Sequence, residues 1–203
     1  MMIKQLLTLC LAGFAIGISA QTPAQGDPAK QKSPLTTESA EVREIFDFMS
    51  SRMSRQKDVW FDDGEFRRCI EVLLVEVAWV PADYDAWTSL GWMYGNIEAF
   101  HLEIAAYTRF QELFPAEPEA HYPLGEFYYR RRNYVACIGI LEPTIGWEKK
   151  PHANTYRLLA HSFDRIGRFD RALAVWDEYL KLVPDDGAAK MNRQKVADKL
   201  GGA

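Results

Sequence analysis

The sequence is poor in the residue patterns that carry most enzyme chemistry. Its 203 residues include 3 cysteines and 4 histidines. The histidines, His101, His121, His152 and His161, have no metal-ligand spacing among them. No glycine-rich loop that would cradle a phosphate occurs, and no nucleophile elbow. Lys and Arg number 24 against 28 Asp and Glu, a formal charge of −4. That balance lacks the cationic surplus on which nucleic-acid binding depends. The apolar run from Leu6 to Ile18 is shorter than the roughly 20 residues that span a bilayer. No catalytic residue, metal, cofactor or nucleic-acid partner is therefore expected, and no transmembrane segment in the mature chain.

What is present falls into three stretches. Residues 1–20 have Lys4 as their only charge, then the apolar run, then Ile18-Ser19-Ala20 ending on a small residue. This is the layout of a secretory signal peptide cleaved after Ala20, which predicts an exported protein, periplasmic or extracellular. Residues 21–39 (QTPAQGDPAKQKSPLTTES) have no apolar period and read as a flexible linker, with Thr37 placed to cap a helix. Residues 40–203 form the folded domain.

Within that domain, Ala153 to Asp186 has the clearest pattern. Tyr156, Leu159, Ala160 and Phe163 recur at steps of three and four, as one buried helical face requires. Gly167 supplies a turn, a second face follows in Phe169, Ala172, Leu173, Trp176, Tyr179 and Leu180, and Pro184 stops it. One such helical hairpin cannot bury its own apolar side, and copies of it stand upstream. Trp87, Leu90, Gly91 and Tyr94 form a W-x2-L-G-x2-Y core, and Leu124, Gly125 and Tyr128 repeat its end 34 residues later. Pro81 and Pro115, also 34 apart, close successive units, and the next unit carries one extra residue around Thr144 to Lys150.

These residues resemble the tetratricopeptide repeat family over about residues 50–186. The resemblance implies an all-α, right-handed solenoid of helix-turn-helix repeats at about 50–83, 84–117, 118–152 and 153–186. A capping helix is expected over 187–200. Gln56 and Lys57 stand where the Leu-Gly pair belongs in the first unit, so that hairpin should be the loosest or serve as a cap. Gly91, Gly125 and Ala160 are small where paired helices approach, with Ala172 as their partner on the second helix. The repeat step places Cys69 and Cys137 in the Ala172 slot, two repeats apart and too distant for a disulfide. Two buried free thiols are predicted. In the second unit the slot falls on Glu103, and Ala105 or Ala106 is expected to take its place.

The resemblance further implies that the first helices of successive repeats line a surface that receives a segment of another protein. Three rows follow the repeat step: Ser54, Thr88, Tyr122, Arg157; then Asp58, Trp92, Glu126, His161; then Asp62, Asn96, Arg130, Arg165. With Tyr129 added, the candidate groove residues are Trp92, Asn96, Tyr122, Glu126, Tyr129, Arg130, Arg157, His161 and Arg165. The aromatics would anchor an apolar side chain and the arginines an acidic segment. Competing bland pairings are Glu126 with Arg130 and Asp164 with Arg168, both at helical i, i+4 spacing. A non-catalytic adaptor is the expected function. Its alternative is a self-assembling structural protein whose groove is filled by its own copies.

Overall fold

The structure, a computed structural model, describes residues 39–202. The predicted signal peptide and most of the linker lie outside those residues. Among the described residues there are nine helices and no strand. They are α1 (Ala40–Asp62), α2 (Phe66–Trp79), α3 (Tyr84–Asn96), α4 (Phe100–Leu113), α5 (Pro118–Arg130), α6 (Tyr134–Ile145), α7 (Ala153–Arg165), α8 (Phe169–Leu182) and α9 (Gly187–Gly201). Pairs α1–α2, α3–α4, α5–α6 and α7–α8 form hairpins, and each rests on the next.

Local chemistry sets these boundaries. Asp83, Asn133 and Asp186 each accept a hydrogen bond from the backbone N–H three residues on, which satisfies an open donor of the first turn. Ser39, rather than the predicted Thr37, caps α1 by accepting from Val42 N at 3.4 Å. The extra residue of the third unit falls in the connection between α6 and α7, residues 146–152. The turn inside every hairpin needs one residue in the left-handed region. That place is held by Gly64 (φ 76°), Glu98 (φ 59°), Arg132 (φ 59°) and Gly167 (φ 77°), at steps of 34, 34 and 35. Only the first and last of these carry glycine, so the two middle turns are strained.

The helices of a hairpin meet differently from expectation. A Cβ at Gly91 would lie 2.1 Å from Tyr107, and one at Gly125 would lie 2.6 Å from Leu141. The room the glycines leave is filled by a bulky residue of the second helix, one turn beyond Ala172's slot, and not by the slot residue itself. Tyr107 and Leu141 are both buried. The repeat step gives Ala160 and Trp176 the corresponding places in the last hairpin.

The slot itself is closed to solvent throughout: Cys69, Glu103, Cys137 and Ala172 are each 0% exposed. Both cysteines are free. The Cys69 thiol donates to Lys57 O at 3.5 Å, and Cys137 Sγ accepts from Ser162 Oγ at 3.3 Å. Burial pushes both thiols above their usual pKa, so they stay protonated and unreactive. The expected substitution of Ala105 or Ala106 for Glu103 does not occur. Glu103 keeps the slot, and its two oxygens are taken by Arg130 Nη2 at 2.8 Å and Arg131 Nη2 at 3.1 Å.

The first hairpin is loose. No residue of α1 is buried, and Ile45, Phe48 and Met49 are exposed. It holds to α2 through Phe46 on Trp79 (centroids 4.9 Å apart) and a Lys57–Glu76 ion pair at 2.7 Å. At the other end Ala189 and Val196 of α9 bury against the last hairpin.

Replacing Arg132 by glycine should stabilise the protein by about 0.5–1 kcal/mol, because the left-handed strain is relieved. Gly64→Ala should cost about 1 kcal/mol at the equivalent turn. Urea midpoints of the two variants check this: both moving in the same direction would contradict it.

Candidate functional site

The first helices α1, α3 and α5 stand side by side, so side chains one repeat apart fall into register. Asp58, Trp92 and Glu126 of one row, and Thr88 and Tyr122 of another, line a single cavity of about 610 Å³. Phe61, Tyr84, Tyr107, Lys57 and Arg130 are also in its walls, with Leu73, Ser89, Met93 and Pro123. Trp92 is 43% exposed and packs on Phe61 (5.7 Å, rings tilted by 41°) and Phe66 (6.4 Å, rings near-perpendicular). Tyr122 is mostly covered, donates its hydroxyl to Glu126 Oε1 at 3.4 Å, and meets the His152 ring at 4.4 Å. The Tyr107 hydroxyl reaches Thr88 O at 3.5 Å.

The phenols are held neutral. Burial, helped by the charges of Glu119 and Glu126, pushes Tyr84 up to about 12. Burial likewise drives Tyr107 and Tyr122 well above the usual phenol range, with Glu103 adding to the first and Glu126 to the second. These groups offer hydrogen bonds and ring faces, and no proton at neutral pH. Among the described residues, no group of three or more His, Cys, Asp or Glu side chains is placed to hold a metal ion.

Of the nine residues singled out from sequence, Trp92, Tyr122, Glu126 and Arg130 meet at this cavity. The other five do not line it. Asn96 turns back on its own helix, donating to Trp92 O at 2.8 Å. Tyr129 packs on Tyr134 at 5.6 Å, beside the Arg165 guanidinium. Arg157 bonds Asp186 Oδ2 at 2.7 Å and the Tyr179 hydroxyl at 3.2 Å. His161 sits 5.3 Å from the Trp176 ring, at a smaller cavity of about 290 Å³ shared with α9 residues Asn192, Lys195 and Lys199. Burial lowers the His161 pKa, which favours its neutral form.

The charge pairings also differ from those expected. Arg130 turns to Glu103 rather than to Glu126. Asp164 binds Lys199 at 2.6 Å, and Arg168 binds Asp170 at 3.4 Å. Tyr84, Tyr107 and Phe61 also line the cavity, though none of them stands in the three rows traced by the repeat step.

No helix among the described residues is long and apolar enough to cross a membrane. The architecture is that of a tetratricopeptide-type, all-α repeat solenoid, and solved structures agree. A crystal structure of MamA is 20% identical, with a TM-score of 0.58 over 75% of this chain and 82% of that one. A second MamA structure is 21% identical, TM-score 0.56, over 71% and 84%. A thermophilic TPR protein of Thermus thermophilus is 16% identical, TM-score 0.54, over 73% and 81%. No family model matches the chain, and no curated protein does. At these identities the shared property is the fold.

Asp186 joins the last hairpin to α9. It accepts from Ala189 N, Arg157 and the Tyr179 hydroxyl, and these bonds hold its carboxyl far below the usual range. A depressed folded pKa stabilises the fold above the unfolded value near 3.8, and that contribution is lost as pH falls below it. Urea unfolding should therefore show native protein more stable than Asp186→Asn at pH 6, with the gap narrowing below about pH 4. A gap independent of pH would contradict this role.

Proposed function

We propose that this chain is a non-catalytic interaction scaffold that holds an extended segment of a partner protein along the first helices of its repeats. The observation that supports it most is the cavity itself. Asp58, Trp92 and Glu126, each one repeat from the next, come from three different helices onto one solvent-open hollow of about 610 Å³. Its wall sets the exposed rings of Phe61 and Trp92 beside charged and hydroxyl-bearing side chains, a mixture that can anchor an apolar stem and fix a polar head. The likeness to tetratricopeptide-type solenoids supports the same class of function. The signal-like stretch of residues 1–20 supports action after export, with a mature chain starting at Gln21.

A second reading has its own observation. Ile45, Phe48 and Met49 are exposed together on α1, where no other helix of the described residues covers them. Self-assembly through that helix would hide them, and light scattering over a dilution series would then show mass falling with concentration.

The scaffold reading is tested by a photo-reactive residue placed at Ser89, in the cavity, or at Arg109, an exposed position on α4. In cells, cross-linked partners should appear from Ser89 and not from Arg109. Trp92→Ala should reduce the Ser89 products severalfold, since an aromatic anchor commonly contributes more than 1 kcal/mol. Equal yields from both faces, or indifference to Trp92→Ala, would overturn it.

A further inference from the structure

The charges around the cavity are unevenly matched. Four ionised side chains line it: Lys57, Asp58, Glu126 and Arg130. The two cations are engaged from behind. Lys57 Nζ lies 2.7 Å from Glu76, and Arg130 Nη2 lies 2.8 Å from the buried Glu103. Arg131, which takes the other oxygen of Glu103, stacks on Phe127 and Phe100 (3.8 and 4.3 Å) and does not line the hollow. The two anions have no such match. Asp58 makes no hydrogen bond or ion pair among the described residues, and Glu126 has only the long bond from Tyr122.

The same cavity is lined by the rings of Phe61, Trp92, Tyr84 and Tyr122. Ring faces attract a cation and carry apolar stems, while carboxylates attract its head. An acidic segment would meet two uncompensated carboxylates. To be bound by Arg130 it would have to draw that arginine from Glu103, weakening the pairing of a wholly buried charge. We infer that the cavity takes a lysine or arginine side chain from an extended segment of the partner protein, with its stem on Trp92 and Phe61 and its head toward Asp58 and Glu126. This inference rests on the scaffold reading and reverses the acidic partner that the row of arginines suggested.

The test is selection of a random 12-residue peptide library on the full chain, followed by affinity measurements on the peptides recovered. Enrichment of Lys or Arg flanked by apolar residues is expected. Asp58→Asn and Glu126→Gln should each weaken those peptides about fivefold, and added salt should weaken them further. Asn and Gln keep the shape of the wall, so the loss reads charge. Peptides that are acidic or merely apolar, lost with Trp92→Ala but indifferent to Asp58→Asn and Glu126→Gln, would sink the cation and leave the scaffold standing. Peptides indifferent to Trp92→Ala as well would sink both. If basic peptides bind only after Lys30 and Lys32 are changed to Gln, the occupant is this chain's own linker, and a partner-borne cation is overturned.

Discussion

The close approach of α3 and α4 is made possible by a missing methyl group. With no Cβ at Gly91, the Tyr107 ring occupies the space where one would lie 2.1 Å away. Leu141 does the same over Gly125. Protein interiors have almost no slack, so this contact fixes how far apart the helices of a hairpin lie. Because it recurs at the repeat step, it also fixes how the first helices line up. The alignment of Trp92 and Glu126 on one hollow is a consequence of that spacing, whereas Asp58 comes from the first hairpin, where Lys57 stands in the glycine's place. Tyr107 belongs to both, filling the glycine's place with one part of its ring and lining the cavity with another.

A second constraint is electrostatic. Glu103 occupies a slot that elsewhere holds cysteine or alanine, and a carboxylate there is tolerable only if its charge is met. The third hairpin supplies Arg130 and Arg131, so this pairing ties one repeat to the next across a helix end. Gly95 leaves room for the carboxylate, since a Cβ there would come within 2.9 Å of Oε2. The same arrangement decides the character of the cavity, because it neutralises the one arginine that lines it. Structure and recognition thus meet at Arg130.

Much of the fold was legible in the sequence because it depends on periodic, local signals. The Trp87-Leu90-Gly91-Tyr94 core, the closing prolines and the turn glycines each report a backbone or packing requirement that tolerates few alternatives. The free, buried state of Cys69 and Cys137 followed from position alone. The site was less legible for a physical reason. The repeat step shows which residues share a row, but not which of them are already engaged. Arg130, Arg157 and His161 look available in a row and are held by Glu103, Asp186 and the wall of Trp176. Partners of that kind sit on another helix, 15 residues away for His161 and 22 to 29 for the two arginines, where no local pattern reaches. Glu103 was misplaced for the same reason: its partners lie 27 and 28 residues downstream.

The central claim is that small-against-bulky packing inside the second and third hairpins sets both the fold there and the hollow. A double-mutant cycle on Gly91→Ala and Tyr107→Leu measures it most directly, with urea unfolding as the readout. Gly91→Ala alone should destabilise the protein by about 1–3 kcal/mol, the usual cost of overpacking. In the Tyr107→Leu background the same change should cost markedly less, a coupling that distant or independent sites do not show. Additive effects of the two changes, or a neutral Gly91→Ala, would contradict the account.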